Sequence, residues 1–156
     1  MRLAILAFAA IFILGSALGS AAAVTLQTFT TEPLTIDTAK GPDLFTVELA
    51  LTPGQQEQGL MFRRALAPNA GMLFVFPDTR QAVFWMKNTL IPLDMLFITE
   101  NGTIADLHER AVPLSEENIV SKVPVKAVLE LDGGTVSRLG IKIGDTVHAA
   151  ALGNAL

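Results

Sequence analysis

The residues best suited to chemistry lie in one segment, Phe84 to Asp94, which reads Phe-Trp-Met-Lys-Asn-Thr-Leu-Ile-Pro-Leu-Asp. The segment contains the only tryptophan, Trp85, and places Lys87, Asn88 and Asp94 among apolar side chains. An indole ring can stack against a sugar or another flat ligand, while ammonium and amide groups donate hydrogen bonds to anionic or hydroxyl-rich ligands. Because burying such polar groups without partners is costly, the segment predicts either a binding site or an internal polar clasp.

Strand alternation divides this segment into two faces. Phe84 and Met86 share one face, and Trp85 and Lys87 share the other. If the first pair belongs to the core, Trp85 and Lys87 face outward or into a groove, where they can bind a ligand. The alternative is a second core layer, with Trp85 packed under a loop and the Lys87 ammonium extended to water.

The turn after the strand has a structural and a functional interpretation. Asp94 could pair with Lys87 and lock the turn, and Asn88 could bond to its own backbone. Alternatively, Lys87 and Asn88 present donors to a ligand while Asp94 orients them. The sequence does not decide whether the Ile91–Pro92 bond is trans or cis. The cis form is found in about 5–6 % of such bonds.

Two arginines and a second acid extend the candidate site. Arg63 and Arg64 follow a short helix, and a guanidinium can bind a carboxylate through two hydrogen bonds. An internal pair with Glu130 or Asp94, holding the helix to the sheet, is the favoured interpretation. Asp94 and Glu130 could instead form a catalytic pair for glycoside hydrolysis, which needs carboxyls about 5–5.5 or 6.5–9.5 Å apart.

Composition excludes several other kinds of site. The chain has no cysteine, and its two histidines, His108 and His148, lack ligand spacing, so we expect no metal. It has no glycine-rich phosphate loop, and we expect no cofactor. A net charge of −4 without a basic cluster argues against nucleic acid and against anionic membrane surfaces.

The N-terminus predicts export. A basic start, an apolar run from Leu3 to Leu14 and an Ala-x-Ala exit at residues 21 to 23 form a signal peptide, residues 1 to 23. Cleavage before Val24 would release a periplasmic or extracellular protein. An uncleaved membrane anchor is the alternative, although the fully apolar run is shorter than the ~20 residues that a spanning helix needs.

The remaining residues, 24 to 156, predict a single all-β domain. Short alternating runs and turns recur about every ten residues, which is typical of a sandwich or barrel. Only two short helices are predicted, one after the capping box Thr52-Pro-Gly-Gln55 and one between Gly133 and Gly140. Strands are predicted at 26–30, 34–37, 44–51, 72–76, 82–87, 95–99, 103–108, 125–131 and 146–151, with hairpins at 77–80 and at Asn101-Gly102 and a long loop at 111–124.

Several motifs together resemble a known family. They are Gly59-Leu-Met-Phe-Arg-Arg, Gly71-Met-Leu-Phe-Val-Phe, the Trp85-Met-Lys-Asn-Thr string, Asn101-Gly102, Val128-Leu-Glu-Leu and Ile143-Gly-Asp. In this order, over residues 44 to 148, they are similar to the family named domain of unknown function 192. The resemblance implies a jelly-roll type of β-sandwich or barrel, often exported, and implies no activity.

The sequence therefore favours an exported, non-catalytic β domain that binds a small molecule, glycan or envelope component. Its predicted site comprises Trp85, Lys87, Asn88 and Asp94, with Arg63 or Arg64 and Glu130 behind them. A hydrolase of an envelope glycan or other polymer, using Asp94 or Glu130, is the first alternative. A protein-interaction module with Trp85 at its centre is the second, and the oligomeric state stays open.

Overall fold

The structure, a computed structural model, describes residues 26 to 156. The predicted signal peptide and the cut before Val24 lie outside the described residues. Within residues 26 to 156, no helix has both the length and the apolar character needed to cross a membrane.

Short strands make up most of the described chain. The strands are β1 (Thr31–Thr38), β2 (Gly41–Ala50), β3 (Ala70–Arg80), β4 (Val83–Phe84), β5 (Leu93–Ile98), β6 (Ile104–Ala111), β7 (Ile119–Val120), β8 (Val125–Asp132) and β9 (Thr146–Ala149). The helices are α1 (Pro53–Gln58), α2 (Thr135–Leu139) and a short 3-10 helix (Ala150–Leu152). The predicted class, all-β with two short α-helices, is confirmed.

Seven strands form one curled sheet in the order β6-β5-β8-β3-β2-β1-β9. The sheet curls into a half-barrel whose edges meet at one end. There Thr103 bridges to Thr146, and the Ile104 amide donates to the Asp145 carbonyl at 2.9 Å. β4 and β7 form a separate two-stranded ribbon.

The β2–β3 pair is parallel, unlike the other neighbouring pairs of the seven-stranded sheet. A parallel pair needs a crossover, and residues 51 to 69 supply it with α1 as its ordered part. The predicted capping box begins α1: the Thr52 hydroxyl accepts from the Gln55 amide at 3.3 Å, and the Gln55 side chain accepts from the Thr52 amide at 3.1 Å. The crossover thus carries α1 onto one face of the sheet.

Each face of the sheet has its own apolar cluster. The first includes Leu73, Leu96, Leu129 and Leu131, with Val136 of α2 packed on them. The second holds the alternate residues of the same strands and the end of α1, including Leu60, Met72, Phe74, Met86, Leu93, Met95, Phe97 and Val128. Because strand side chains alternate, neighbouring positions on one strand belong to different faces.

Several predicted element bounds differ from the structure. Residues 26 to 30 precede β1 rather than forming a strand, and β3 continues to Arg80, so no hairpin forms at residues 77 to 80. The predicted strand 82–87 is regular only at β4, which pairs with β7 inside the expected long loop. The reason is non-local: β3 pairs with β8, which leaves β4 to find another partner.

Candidate functional site

The segment after β4 is held by main-chain hydrogen bonds on both sides. One bond comes from the loop after α1 and two involve the loop after β6: Phe62 N to Asn88 O (2.9 Å), Met86 N to Ser115 O (2.8 Å) and Leu114 N to Thr89 O (3.1 Å). The position of residues 85 to 89 therefore depends on backbone contacts.

Phe62 and Asn88, which share the first of these bonds, both adopt left-handed backbone conformations, with φ of 67° and 56°. This region is rare for residues other than glycine, although Asn tolerates it better than Phe. Strained backbone of this kind concentrates at functional sites, where the surrounding structure maintains it.

The predicted division of faces is confirmed. Met86 is buried, and Phe84 packs edge-on against Phe74 with ring centroids 5.0 Å apart. Trp85 is 43 % exposed, and Lys87 is exposed on the same side. The Lys87 ammonium lies 5.1 Å from the centre of the Trp85 ring, which is within the range of a cation–π interaction.

Trp85 stands in the middle of a groove built from α1, the loop after α1 and the β4 segment. On the Lys87 side the groove has a volume of about 520 Å³, and on the Arg80 side about 480 Å³. Between them, a narrow pit of about 30 Å³ leads inward. Trp85 and Glu57 line all three parts, so they connect into one candidate site.

The pit is shaped by a close approach of the end of α1 to the sheet. Gly59, which ends this helix, has φ of 48°, and a Cβ there would lie 3.1 Å from the Phe74 ring. Glycine permits both the conformation and the contact. The remaining lining residues come from α1, the following loop, the β4 segment with its turn, and β8: Gln56, Glu57, Gln58, Leu60, Met61, Phe84, Trp85, Thr89 and Glu130.

Glu130 is the acidic group inside the pit. It is only 4 % exposed, and its neighbours in register on the sheet are Met72 and Met95. Its carboxyl makes no hydrogen bond or ion pair with residues 26 to 156. Burial raises the pKa of Glu130 from 4.5 to about 8, so the group is mostly a neutral carboxylic acid at pH 7.

Asp94, by contrast, is a structural carboxylate on the other face. It is fully buried and accepts backbone hydrogen bonds from Arg110 (2.8 Å), Gly134 (2.9 and 3.0 Å) and Val136 (2.8 Å). It therefore supplies the cap at the start of α2, whose N-cap residue, Gly134, has no side chain to do so. The structure separates Asp94 from the groove.

The expected pairs of Asp94 are consequently absent from the described residues. Lys87 faces Trp85 rather than Asp94, so the predicted clasp does not form. Glu130 belongs to the opposite face from Asp94, because Asp94 lies beside Leu131 and Glu130 beside Met95. A catalytic carboxylate pair between Asp94 and Glu130 is not formed.

The arginines also differ from expectation. Arg63 pairs with Glu48 of β2 at 2.6 Å, rather than with Glu130 or Asp94, and its guanidinium lies 5.9 Å from the Phe29 ring. This pair fastens the loop after α1 to the sheet. We expect such an ion pair from the sequence, but the acid that forms it is Glu48.

Arg64 is exposed, and the Ile91–Pro92 bond is trans.

Sequence reasoning missed some of the groove. Glu57, Gln56 and Met61 belong to the helix and loop that cross the pit, and Thr89 reaches it from the next turn. No local pattern distinguishes these residues, since their shared position depends on the crossover. Glu130 did have a signal, as a charged residue between apolar neighbours on a strand.

In the part of the chain that the structure describes, the half-barrel and the groove around Trp85 and Glu130 form a β domain with a candidate ligand-binding site. The family model of domain of unknown function 192, described as Uncharacterized ACR, matches residues 35 to 149. The chain belongs to this family.

Solved structures of similar proteins agree with the fold. A protein of Sinorhizobium meliloti 1021, described as a proposed transcription regulator, is 52 % identical, with a TM-score of 0.78 over 81 % of this chain and 99 % of that chain. A protein of unknown function from Novosphingobium aromaticivorans DSM 12444 is 40 % identical, with a TM-score of 0.75 over 76 % of this chain and 85 % of that chain. No curated protein matches the chain significantly.

Proposed function

We propose that the protein is an exported, non-catalytic binding domain for a small molecule, glycan or envelope component, held in the groove across Trp85. The observation that carries this proposal is Glu130, a largely buried carboxyl that lines the pit and makes no hydrogen bond or ion pair with residues 26 to 156. Within residues 26 to 156 no fully buried side-chain oxygen lacks a hydrogen bond, so the Glu130 carboxyl reaches the space of the pit, where a ligand or water can satisfy it. Export rests on the N-terminal sequence alone.

The groove has the composition of a binding site. Trp85 and Phe84 supply apolar surface, and polar side chains from α1, Gln56 and Glu57, stand at the rim. Sites for small molecules combine mostly apolar walls with a few polar groups that fix orientation. Lys87 and Asn88 line the neighbouring part and offer hydrogen-bond donors.

A non-catalytic role is favoured over the hydrolase alternative because Asp94, the second acid of the expected catalytic pair, lies on the other face of the sheet from Glu130. Asp94 is saturated with backbone hydrogen bonds on the opposite face, so Asp94 and Glu130 do not form the carboxyl pair that glycoside hydrolysis requires. The regulator description of the Sinorhizobium protein does not carry over to this chain. The net charge of −4 of this chain opposes binding to DNA.

The sole tryptophan gives a direct test. The purified chain is titrated with glucose, N-acetylglucosamine, hexanol, hexanoate and hexylamine, following Trp85 fluorescence and the heat of binding. We expect one class to bind, and Trp85→Ala to weaken its heat of binding by about tenfold or more, as for other aromatic contact residues. Ile143→Ala is the control, since Ile143 is exposed in the turn before β9, away from the groove.

Three results would contradict the proposal. One is a complete absence of binding across this panel, and another is unchanged affinity in Trp85→Ala. The third is glycan turnover that disappears in Glu130→Gln, which would establish the hydrolase instead. Capture of a single protein partner through the Trp85 surface, without small-ligand binding, would establish the interaction module.

A further inference from the structure

The titratable side chains that line the pit within the described chain are both carboxyl groups. Glu130 lies inside it and Glu57 lies on its wall, while no basic residue lines it within the described chain. The nearest strands contribute Met72 and Met95 beside Glu130, so the sheet adds no counter-charge. The pit therefore favours a positive group over a neutral or negative one.

The basic residues of the flanking groove are already engaged with other rings. The Lys87 ammonium lies 5.1 Å from the centre of Trp85, and the Arg80 guanidinium lies 5.0 Å from the centre of Phe76. Neither belongs to the pit lining. These contacts also show that ring faces in this groove accept cations, as expected from their negative faces.

The pit is narrow, and its size limits what can enter. A volume of about 30 Å³ holds about two water-sized groups, since a single water needs on the order of 10–15 Å³. An ammonium group fits within that space, whereas a trimethylammonium group is several times larger than a water. The wider groove outside, about 480 and 520 Å³ on its two sides, has room for the rest of a ligand.

We infer that the pit binds a primary ammonium group at the end of an unbranched chain, with the Glu130 carboxylate as its counter-charge and the Thr89 hydroxyl as a neighbouring acceptor. This inference rests on the proposed binding role of the groove and specifies the ligand class. A primary ammonium donates three hydrogen bonds, which a carboxylate and a hydroxyl can accept. The attached chain lies against Trp85 and Phe84.

Binding involves a proton that must be accounted for. At pH 7 the empty pit holds Glu130 in its neutral form, because burial raises its pKa to about 8. The ligand arrives as an ammonium ion, since alkylamines have a pKa near the ~10.4 of lysine. On binding, Glu130 loses its proton to solvent and the resulting carboxylate pairs with the ammonium, so close to one proton is released per ligand at pH 7.

Four hexyl compounds with different head groups test this inference. The purified chain is titrated with hexylamine, hexanol, hexanoate and hexyltrimethylammonium, using Trp85 fluorescence and calorimetry. We expect hexylamine to bind about tenfold or more tightly than the other three, because charge-assisted hydrogen bonds are about twice as strong as neutral ones. Calorimetry in two buffers of different ionisation heat should show proton release with hexylamine.

Glu130→Gln is compared with Glu109→Gln, which removes an exposed acid of β6 that lines no part of the groove. We expect Glu130→Gln to abolish proton release and remove the preference for the amine, and Glu109→Gln to keep both. Equal affinity for hexanol and hexylamine, or no proton release in the unmodified chain, would overturn the inference. Proton release is measured on the unmodified chain, so that test does not depend on whether a variant folds. Binding of hexanol or a sugar without the amine overturns only this inference, whereas no binding at all overturns the proposed function too.

Discussion

Asp94 and Glu130 lie on adjacent strands, one register position apart, yet their carboxyls belong to opposite faces of the sheet. Asp94 is saturated by backbone donors at the start of α2, whereas Glu130 has no partner and ends a pit. Two buried acids a few residues apart in space therefore have different roles. One fixes the fold, and the other is available to a ligand.

The first prediction concerns Glu130 and pH. The pKa of Glu130 is raised to about 8 in the folded chain from 4.5, so the folded state holds the proton more tightly. The contribution of Glu130 to the free energy of unfolding is therefore fully present below about pH 4.5. It is lost as the pH rises from about 4.5 through 8. We expect Glu130→Gln to gain up to roughly 4 kcal/mol relative to the unmodified chain between pH 5 and pH 9, at about 1.36 kcal/mol per pKa unit.

Urea unfolding followed by Trp85 fluorescence measures this difference. Glu57→Gln is the control, because Glu57 is exposed and should show no such trend. A constant difference between Glu130→Gln and the unmodified chain across this pH range would mean that Glu130 is ionised and solvated when folded.

The second prediction concerns Asp94. Asp94→Asn replaces one acceptor oxygen by a donor that faces the amides of Gly134 and Val136. We expect a loss of roughly 2–4 kcal/mol in the free energy of unfolding, as for hydrogen bonds to a buried charged group. The folded fraction should bind groove ligands as before, and a selective loss of binding without loss of stability would contradict this assignment.

The third prediction concerns Lys87. The side chain is exposed and contacts the face of Trp85, so it is not a buried charge. Lys87→Met should change the free energy of unfolding by no more than about 1 kcal/mol, the scale of an exposed cation–π contact. A loss of several kcal/mol in urea unfolding would support the internal clasp instead.

The fourth prediction concerns the ion pair between Arg63 and Glu48. Both side chains are partly buried, with exposures of 32 % and 24 %, and the pair joins the loop after α1 to β2. A double-mutant cycle with Arg63→Ala and Glu48→Ala should give a coupling energy of about 0.5–1 kcal/mol, reduced by salt. Additive effects of the two substitutions would show that the contact contributes nothing to stability.

Local signals in the sequence predicted much of the fold. The capping box at Thr52 begins α1 as expected, because both of its hydrogen bonds form within four residues. The Asn101-Gly102 turn joins β5 and β6, and alternation assigns Phe84 and Met86 to the core side. These features depend on neighbours in the chain, which a single sequence contains.

Features that depend on distant parts of the chain were not predictable. Arg63 pairs with Glu48 only because the crossover from β2 to β3 returns the loop beside β2. Likewise, Asp94 meets the Gly134 and Val136 amides at the start of α2 because β5 pairs with β8. Any acid in the sequence was an equally plausible partner until the register was known.

The main-chain bond between Phe62 and Asn88 has a consequence for how binding preference can change. The two groove walls that it joins are positioned by backbone atoms, while the side chains of Phe62, Lys87 and Asn88 project from them. Substitutions that tolerate a left-handed backbone at positions 62 and 88 can therefore alter the rim while the walls stay in place. The groove can thus be diversified in a library, with its scaffold held constant, to obtain binders for new molecules.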